Sequence, residues 1–463
     1  MSEPVTGDAA GTLLLRGGTV VDESGERRGD VLVADGRVTA VGPTLEAPAG
    51  ARILDAGGCI VSPGLVDLHT HLRQPGAEEA ETVESGSRAA AIGGYTAVVA
   101  MPNTDPPIDD AAVVREVLDL GEKALCRVAV AGAITVGRAG ERLAPMAEMA
   151  ALGVHLFTDD GAGVQDAAVM RRALEYSRAL GVTLAQHCEV ASLSAGGCMH
   201  EGAWSSRLGL PGIPAEAEEL MVARDIALCR MTGGRVHFLH LSTAGSVALV
   251  AAAKAEGLAV TAEVTPHHLA LTDAELAGYD PVGKVNPPLR SVADVAALRA
   301  ACAAGVIDAV ATDHAPHPPE SKDTTMDVAA PGMLGLETAL AVTLGALGPG
   351  VAESAGGAET GAEGEPGGSA GMAVRDVLGL LSWQAARVAR LAVDQGGDQG
   401  ATVQPGAPAN LCVFDPTERW EVDPLRLASR SRNTPWAGQT LTGRVRHTVR
   451  RGEAVVVDGE AQR

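Results

Sequence analysis

Eight apolar, strand-like runs recur through the middle of the chain, with helical spacing between them. The runs are "IVSPGLVDLH", "YTAVVAMPN", "RVAVAGAIT", "GVHLFTDDG", "VTLAQHCE", "VHFLHLST", "AVTAEVTPHH" and "VIDAVATDHAPH". The intervening "DAAVVREVLDL", "AAVMRRALEYSRAL" and "SVADVAALRAACAAG" repeat apolar residues three and four apart, as one face of a helix requires. Buried strands alternating with helices predict an α/β fold, a (β/α)8 TIM-like barrel over residues 62–400. Strand boundaries read from one sequence move by about two to four residues, which leaves seven or nine units as the alternatives.

The two ends read differently. "TLLLRGGTVV", "DVLVADGRVTAVG" and "ARILDAGGCIVSPG" are short alternating strands joined by Gly and Asp-Gly turns, and "ANLCVFD" and "GRVRHTVRRGEAVVV" repeat the style. Chain ends commonly lie close together, so residues 1–61 and 401–463 are expected to build one small β-sandwich domain from both termini. Segment 348–374 is rich in Gly, Ala, Glu, Ser and Pro, which predicts a flexible surface insert with no catalytic part.

Composition excludes several functions. The net charge of −22 leaves no basic footprint for nucleic acid. No run of about eighteen apolar residues is present, so no membrane span is expected. The start "MSEPVTGDAA" has no basic stretch followed by an apolar one, and the seven scattered cysteines contain no CxxC. Both features fit a cytoplasmic protein in a reducing compartment.

In a barrel of this kind, chemistry sits at the C-terminal ends of the strands. His69 and His71 end the first run, Asp159 and Asp160 the fourth, His187 the fifth, His240 the sixth and Asp313 the eighth. Residues two apart on a strand share a side, so His69 and His71 form half of a metal site. Singly, each strand-end histidine is more often structural; scattered histidines, however, would have no reason to share one mouth. Imidazole and carboxylate without cysteine suit zinc, and would also accept manganese or cobalt. Four histidines and two aspartates exceed the needs of one open zinc. Two ions about 3.5–4 Å apart, bridged by a carboxylate, account for the set and predict amide hydrolysis or its reverse.

The ordered set "PGLVDLHTHLRQPG", "AMPNT", "FTDDG", "QHCE", "HLSTAGS", "EVTPHHL", "KVNPPLR", "ATDHAPH" and "GLET" resembles the long bacterial dihydroorotases of the amidohydrolase superfamily, from about Gly11 to Val457. That family reversibly closes carbamoyl aspartate to dihydroorotate with loss of water, in pyrimidine synthesis. The resemblance implies two Zn2+ per subunit, with His69 and His71 on one, His187 and His240 on the other, and Asp160 bridging; Asp159 is the alternative bridge. Many relatives bridge with a carboxylated lysine, but none of the four lysines here lies at the end of strand four. Asp313 resembles a metal ligand that is also the catalytic acid/base; its plainer reading is a helix N-cap.

Substrate contacts implied by the resemblance are His71, Arg73, Asn103 and His317 near the carboxylate, with Asn286 and the backbone at Pro331 and Gly332 near the ring amide. Read alone, Asn103 and Asn286 are turn residues beside prolines. His155, His237, His267 and His268 read as structural or as supports. The chain departs from the family at Gln74, at Gln186 in "QHCE" and at Pro331. Two other functions are compatible with the pattern. One is a different cyclic amidase, such as a dihydropyrimidinase, hydantoinase or allantoinase. The other is a non-catalytic scaffold for aspartate transcarbamoylase. A small-molecule substrate, a homo-oligomer and association with aspartate transcarbamoylase complete the expectations.

Overall fold

The computed structural model describes residues 11–349 and 371–463. Eight parallel strands follow one another around a barrel: Leu65–Thr70, Tyr95–Ala100, Arg127–Gly132, Leu156–Thr158, Thr183–Gln186, Val236–Phe238, Val260–Val264 and Ala309–Val310. They are called the first to eighth barrel strands below. Each pairs with the next, and the ring is nearly closed by a parallel bridge between Thr70 and His314. The Asp67 carboxylate reinforces that seam, accepting the Thr312 amide and hydroxyl at 2.7 Å each.

Alternate residues of a strand meet different neighbours, as a period of two demands. In the second barrel strand, Val98 and Ala100 join the cluster that also holds helix residues Val113, Val114 and Val117, whereas Ala97 and Val99 belong to a separate cluster with Val66, Leu68 and Ala131. The helix Ala167–Leu180 coincides with its amphipathic run because both ends are marked. Asp166 caps its first amides, and Gly181 leaves it at φ 69°. Between the fifth and sixth barrel strands lies an excursion with no counterpart in the sequence reading, where Met199–His200 pairs with Gly212–Ile213 beside short helices.

The chain ends meet in one nine-stranded sheet. Leu13–Asp22 lies between Gly25–Ala34 and Ile60–Pro63, and Ile60–Pro63 pairs with Leu411–Glu421 from the other terminus. The sheet gathers its own core, including Leu15, Val31, Val61, Leu411, Val413 and Val449. Most of the Gly/Ala-rich insert, residues 350–370, lies outside the described residues, as does the start of the chain, residues 1–10. Among the described residues no helix is long and apolar enough to cross a membrane.

Candidate metal centre at the barrel mouth

His69 lies one residue before the end of the first barrel strand and His71 just after it; Asp160, His187, His240 and Asp313 sit within three residues of the ends of the fourth, fifth, sixth and eighth. All six are buried. Asp160 stands at the centre. Its Oδ2 faces His69 Nε2 at 3.4 Å and His71 Nε2 at 3.6 Å. Its Oδ1 faces His187 Nδ1 at 3.5 Å and His240 Nε2 at 3.6 Å. The two histidine pairs therefore lie against separate oxygens of one carboxylate. Asp313 Oδ1 approaches the first pair, 3.0 Å from His71 Nε2 and 3.5 Å from His69 Nε2. His240 and Asp313 reach these positions with φ of 32° and 46°, a conformation that costs a non-glycine residue about 1–3 kcal/mol and concentrates at functional sites.

Three of the four imidazoles have the nitrogen remote from Asp160 set against an oxygen acceptor. His69 donates from Nδ1 to Glu263 Oε1 at 3.0 Å, and His71 donates from Nδ1 to Asn103 Oδ1 at 2.8 Å. His187 turns Nε2 toward Glu189 Oε2 at 3.5 Å. Each turns its other nitrogen toward Asp160, where in the neutral form it would offer a lone pair to a cation. His69 Nε2 and Asp160 Oδ1 are buried without a hydrogen-bond partner among the described residues. Orphaned donor atoms of this kind, converging from two sides, fit divalent cations.

The electrostatics agree. Burial works to raise the Asp160 carboxyl, but the His69 charge and the close approach of the His187 and His240 imidazoles hold it well below the carboxylate range. Burial likewise works to lower His187, and the Asp160 and Glu189 carboxylates outweigh it, raising the imidazole to about 9. The cluster thus seeks positive charge at its centre.

Asp159 is not part of the cluster. Its Oδ1 accepts the amides of Ile134 and Thr135 at 2.9 and 3.0 Å, and its Oδ2 accepts the Thr135 hydroxyl. No lysine reaches Asp160 either. Lys123 is exposed, Lys254 pairs with Asp308, and Lys284 and Lys322 donate to backbone carbonyls.

Other residues singled out in the sequence ring the mouth. Arg73, at φ 61°, donates from Nε to the Pro316 carbonyl at 3.1 Å, with Nη2 3.4 Å from His317 Nε2. His317 donates from Nε2 to the Pro331 carbonyl at 2.8 Å. Burial and the Arg73 charge push its imidazole down to about 3, so it is neutral. Asn286 donates from Nδ2 to Glu189 Oε2 at 2.6 Å, leaving its buried Oδ1 without a partner among the described residues. The Gly332 amide is already donated to Lys284 O at 2.9 Å, and its carbonyl accepts from Asn433 at 3.1 Å. A substrate can meet that backbone only through a second carbonyl lone pair. Gln186, one of the departures noted above, faces away and bridges Val164 and Asp225. Gln74 accepts the Val83 amide at 3.0 Å.

Sequence reasoning missed Glu263 and Glu189. Glu263 holds His69 on one oxygen and His237 on the other, both at 3.0 Å. Burial works to raise it, and these two hydrogen bonds bring it down to about 2. His237, read only as structural or supporting, sets that carboxylate in place. The seventh run ends in "EVTPHH", and strand-end position was the available signal for Glu263; attention to its histidines hid it.

Comparison with known proteins agrees with the geometry. Residues 58–246 match the family described as dihydro-orotase-like. The chain is 49% identical to the dihydroorotase of Streptomyces coelicolor, covering 96% of this chain and 99% of that one. It is 47% identical to the dihydroorotase of Mycobacterium tuberculosis, covering 97% and 99%. Among solved structures, the L-hydantoinase (dihydropyrimidinase) of Arthrobacter aurescens superposes with a TM-score of 0.83 at 25% identity, covering 97% of each chain. The dihydropyrimidinase of Brevibacillus agri shares the fold, with a TM-score of 0.79 at 22% identity over 97% of this chain and 96% of that one. Near-full-length identity to curated dihydroorotases, together with buried His/Asp groups suited to a divalent metal, establishes that the chain belongs to the dihydroorotases, metal-dependent cyclic amide hydrolases.

Proposed function

We propose that this dihydroorotase interconverts carbamoyl aspartate and dihydroorotate with two zinc ions per subunit, which His69, His71, His187, His240 and Asp313 would hold with Asp160 between them. The observation that carries this reading is the division of the Asp160 carboxylate, one oxygen to His69 and His71, the other to His187 and His240. Asp313 completes the first group. When bound, such ions lower the pKa of water toward neutrality and polarise the ring carbonyl. The chain's own residues do the rest.

Asp313 is the proton carrier. Burial works to raise its carboxyl, but the His69 charge and the neighbouring His71 imidazole keep it strongly acidic, so it begins as carboxylate. In ring opening it takes the proton of the attacking oxygen and passes it to the leaving ring nitrogen. In ring closure it delivers that proton to the departing oxygen of the carboxyl group. Arg73 lies half-buried beside His317 and offers a planar guanidinium to the substrate carboxylate. Asn103 keeps its amide nitrogen for the same group, since its carbonyl is held by His71. Asn286 Oδ1 is placed to accept an N–H of the ring.

Arg73 also separates this reading from an amidase for uncharged rings. The test is a side-by-side assay with dihydroorotate, 5,6-dihydrouracil, hydantoin and allantoin. Dihydroorotate is expected to be turned over best, and preference for an uncharged ring would contradict the assignment. Cytoplasmic location is supported by seven free, buried cysteines. Homo-oligomerisation and association with aspartate transcarbamoylase follow from the family resemblance. Size-exclusion chromatography of the protein, alone and mixed with the transcarbamoylase, tests both.

A further inference from the structure

The segment Ser429–Asn433 comes from the C-terminal part of the chain, yet every side chain it buries is spent on the barrel mouth. Ser429 donates from its hydroxyl to Glu81, whose Oε1 accepts the Arg430 amide at 3.2 Å, and Ser431 donates to Ala80 O at 2.8 Å. Glu81 Oε2 in turn faces His314 at 3.3 Å, the residue after Asp313. Asn433, 5% exposed, makes the densest set of bonds. Its Nδ2 donates to Ala315 O at 3.0 Å and to Gly332 O at 3.1 Å, and its Oδ1 accepts the His317 amide at 3.2 Å. Its backbone carbonyl accepts the Leu334 amide at 3.0 Å.

These bonds join two loops that approach the mouth separately. One follows the eighth barrel strand and carries Ala315 to His317; the other carries Pro331 and Gly332. Where they touch directly, the Ala315 amide donates to the Met333 carbonyl at 2.9 Å beside a parallel bridge between His314 and Met333, and His317 reaches the Pro331 carbonyl. Asn433 adds the bonds that fix the His317 amide and the Gly332 carbonyl. Both donor hydrogens of the Asn433 amide and one lone pair of its oxygen are used, all on these loops. Aspartate would turn a carboxylate oxygen toward two carbonyls, and alanine would leave three buried backbone groups unpaired.

We propose that Asn433 is a positioning residue for substrate binding, a pin from the C-terminal segment that holds His317 and the Pro331–Gly332 backbone where the substrate carboxylate and ring meet Arg73. This rests on the carboxylate clamp proposed above. Asn433 reaches none of the six metal-site residues, so its loss bears on binding geometry before proton transfer.

The test compares Asn433→Ala, His317→Ala and the double variant, with Ser431→Ala as a control from the same segment. Asn433→Ala is expected to raise KM for dihydroorotate about tenfold or more while kcat stays within about threefold and bound metal per chain is unchanged. The double variant is expected to fall well short of the product of the two single effects, because Asn433 acts in part through His317. Ser431→Ala is expected to leave KM unchanged. If Asn433→Ala does not fold, Asn433→Ser, which keeps a hydroxyl donor, carries the same expectation at smaller size. A raised KM in His317→Ala with an unchanged KM in the Asn433 variants, or effects that simply multiply, overturns the pin and leaves the clamp standing. An unchanged KM in His317→Ala overturns the clamp, and the pin with it.

Discussion

Asp313 and Arg73 divide the proposed chemistry between proton transfer and substrate holding, and substitutions at each should read out differently. Asp313→Ala is expected to lower kcat by about three orders of magnitude or more with little change in the melting curve, because a strand-end carboxylate contributes little to packing. Near-normal kcat would contradict its role. Arg73→Lys keeps the charge but loses the planar fork, so KM for dihydroorotate should rise about tenfold with a smaller change in kcat. An unchanged KM would place the carboxylate elsewhere. That the six candidate metal-site residues converge could be read from the sequence because each lies at the end of an apolar run, and strand ends share one face of a barrel. The choice between Asp159 and Asp160 could not. Adjacent residues on a strand point to opposite sides, and which side faces the mouth depends on a register set by neighbouring strands. Glu263 and Glu189 carried a signal in their positions near strand ends, whereas Asn433 did not: its partners lie far away in sequence, and no spacing rule marks it.

At the scale of elements, long amphipathic helices were legible and short pieces were not. Helix Ala167–Leu180 carries nearly four turns of periodic pattern and marked ends. The paired strands Met199–His200 and Gly212–Ile213 hold two residues each, too few to show any period. The eight-stranded barrel was legible, but not the side chain that reinforces its seam, Asp67 accepting from Thr312. Asp67→Ala would strand that buried amide and hydroxyl, and chemical denaturation should register a loss of about 3 kcal/mol. A loss under about 0.5 kcal/mol would mean the seam is held by other contacts. Glu337, in the loop before helix Ala339–Leu347, gives a pH-dependent test. Burial raises its carboxyl from 4.5 to about 7, against hydrogen bonds from the Ala428 and Ser429 amides. A raised carboxyl favours the protonated fold, so stability is full below about pH 4.5 and is lost as pH rises through about 7. Glu337→Gln should therefore melt above the parent at pH 8, with the gap closing at pH 5. A gap independent of pH would rule out titration as its cause.

For the whole molecule, alternating patterns at both ends announced a shared terminal sheet, and its pairing runs through Ile60–Pro63 and Leu411–Glu421. That the C-terminal segment also reaches the barrel mouth could not be foreseen, because nothing in local pattern reports a contact across more than a hundred residues. The Gly/Ala-rich insert is flanked by residues that meet: the Met372 amide donates to Leu347 O at 2.7 Å. Replacing residues 350–370 by a short glycine link should therefore leave kcat/KM within about twofold. A larger fall would give the insert a part in catalysis. The central claim, a two-ion centre bridged by Asp160, is tested most directly by metal analysis of the purified protein with turnover measured before chelation, after it and after adding zinc back. About two zinc ions per chain, activity lost with the metal and restored with it, is the predicted result. Undiminished turnover of dihydroorotate by protein stripped of divalent metal would contradict it.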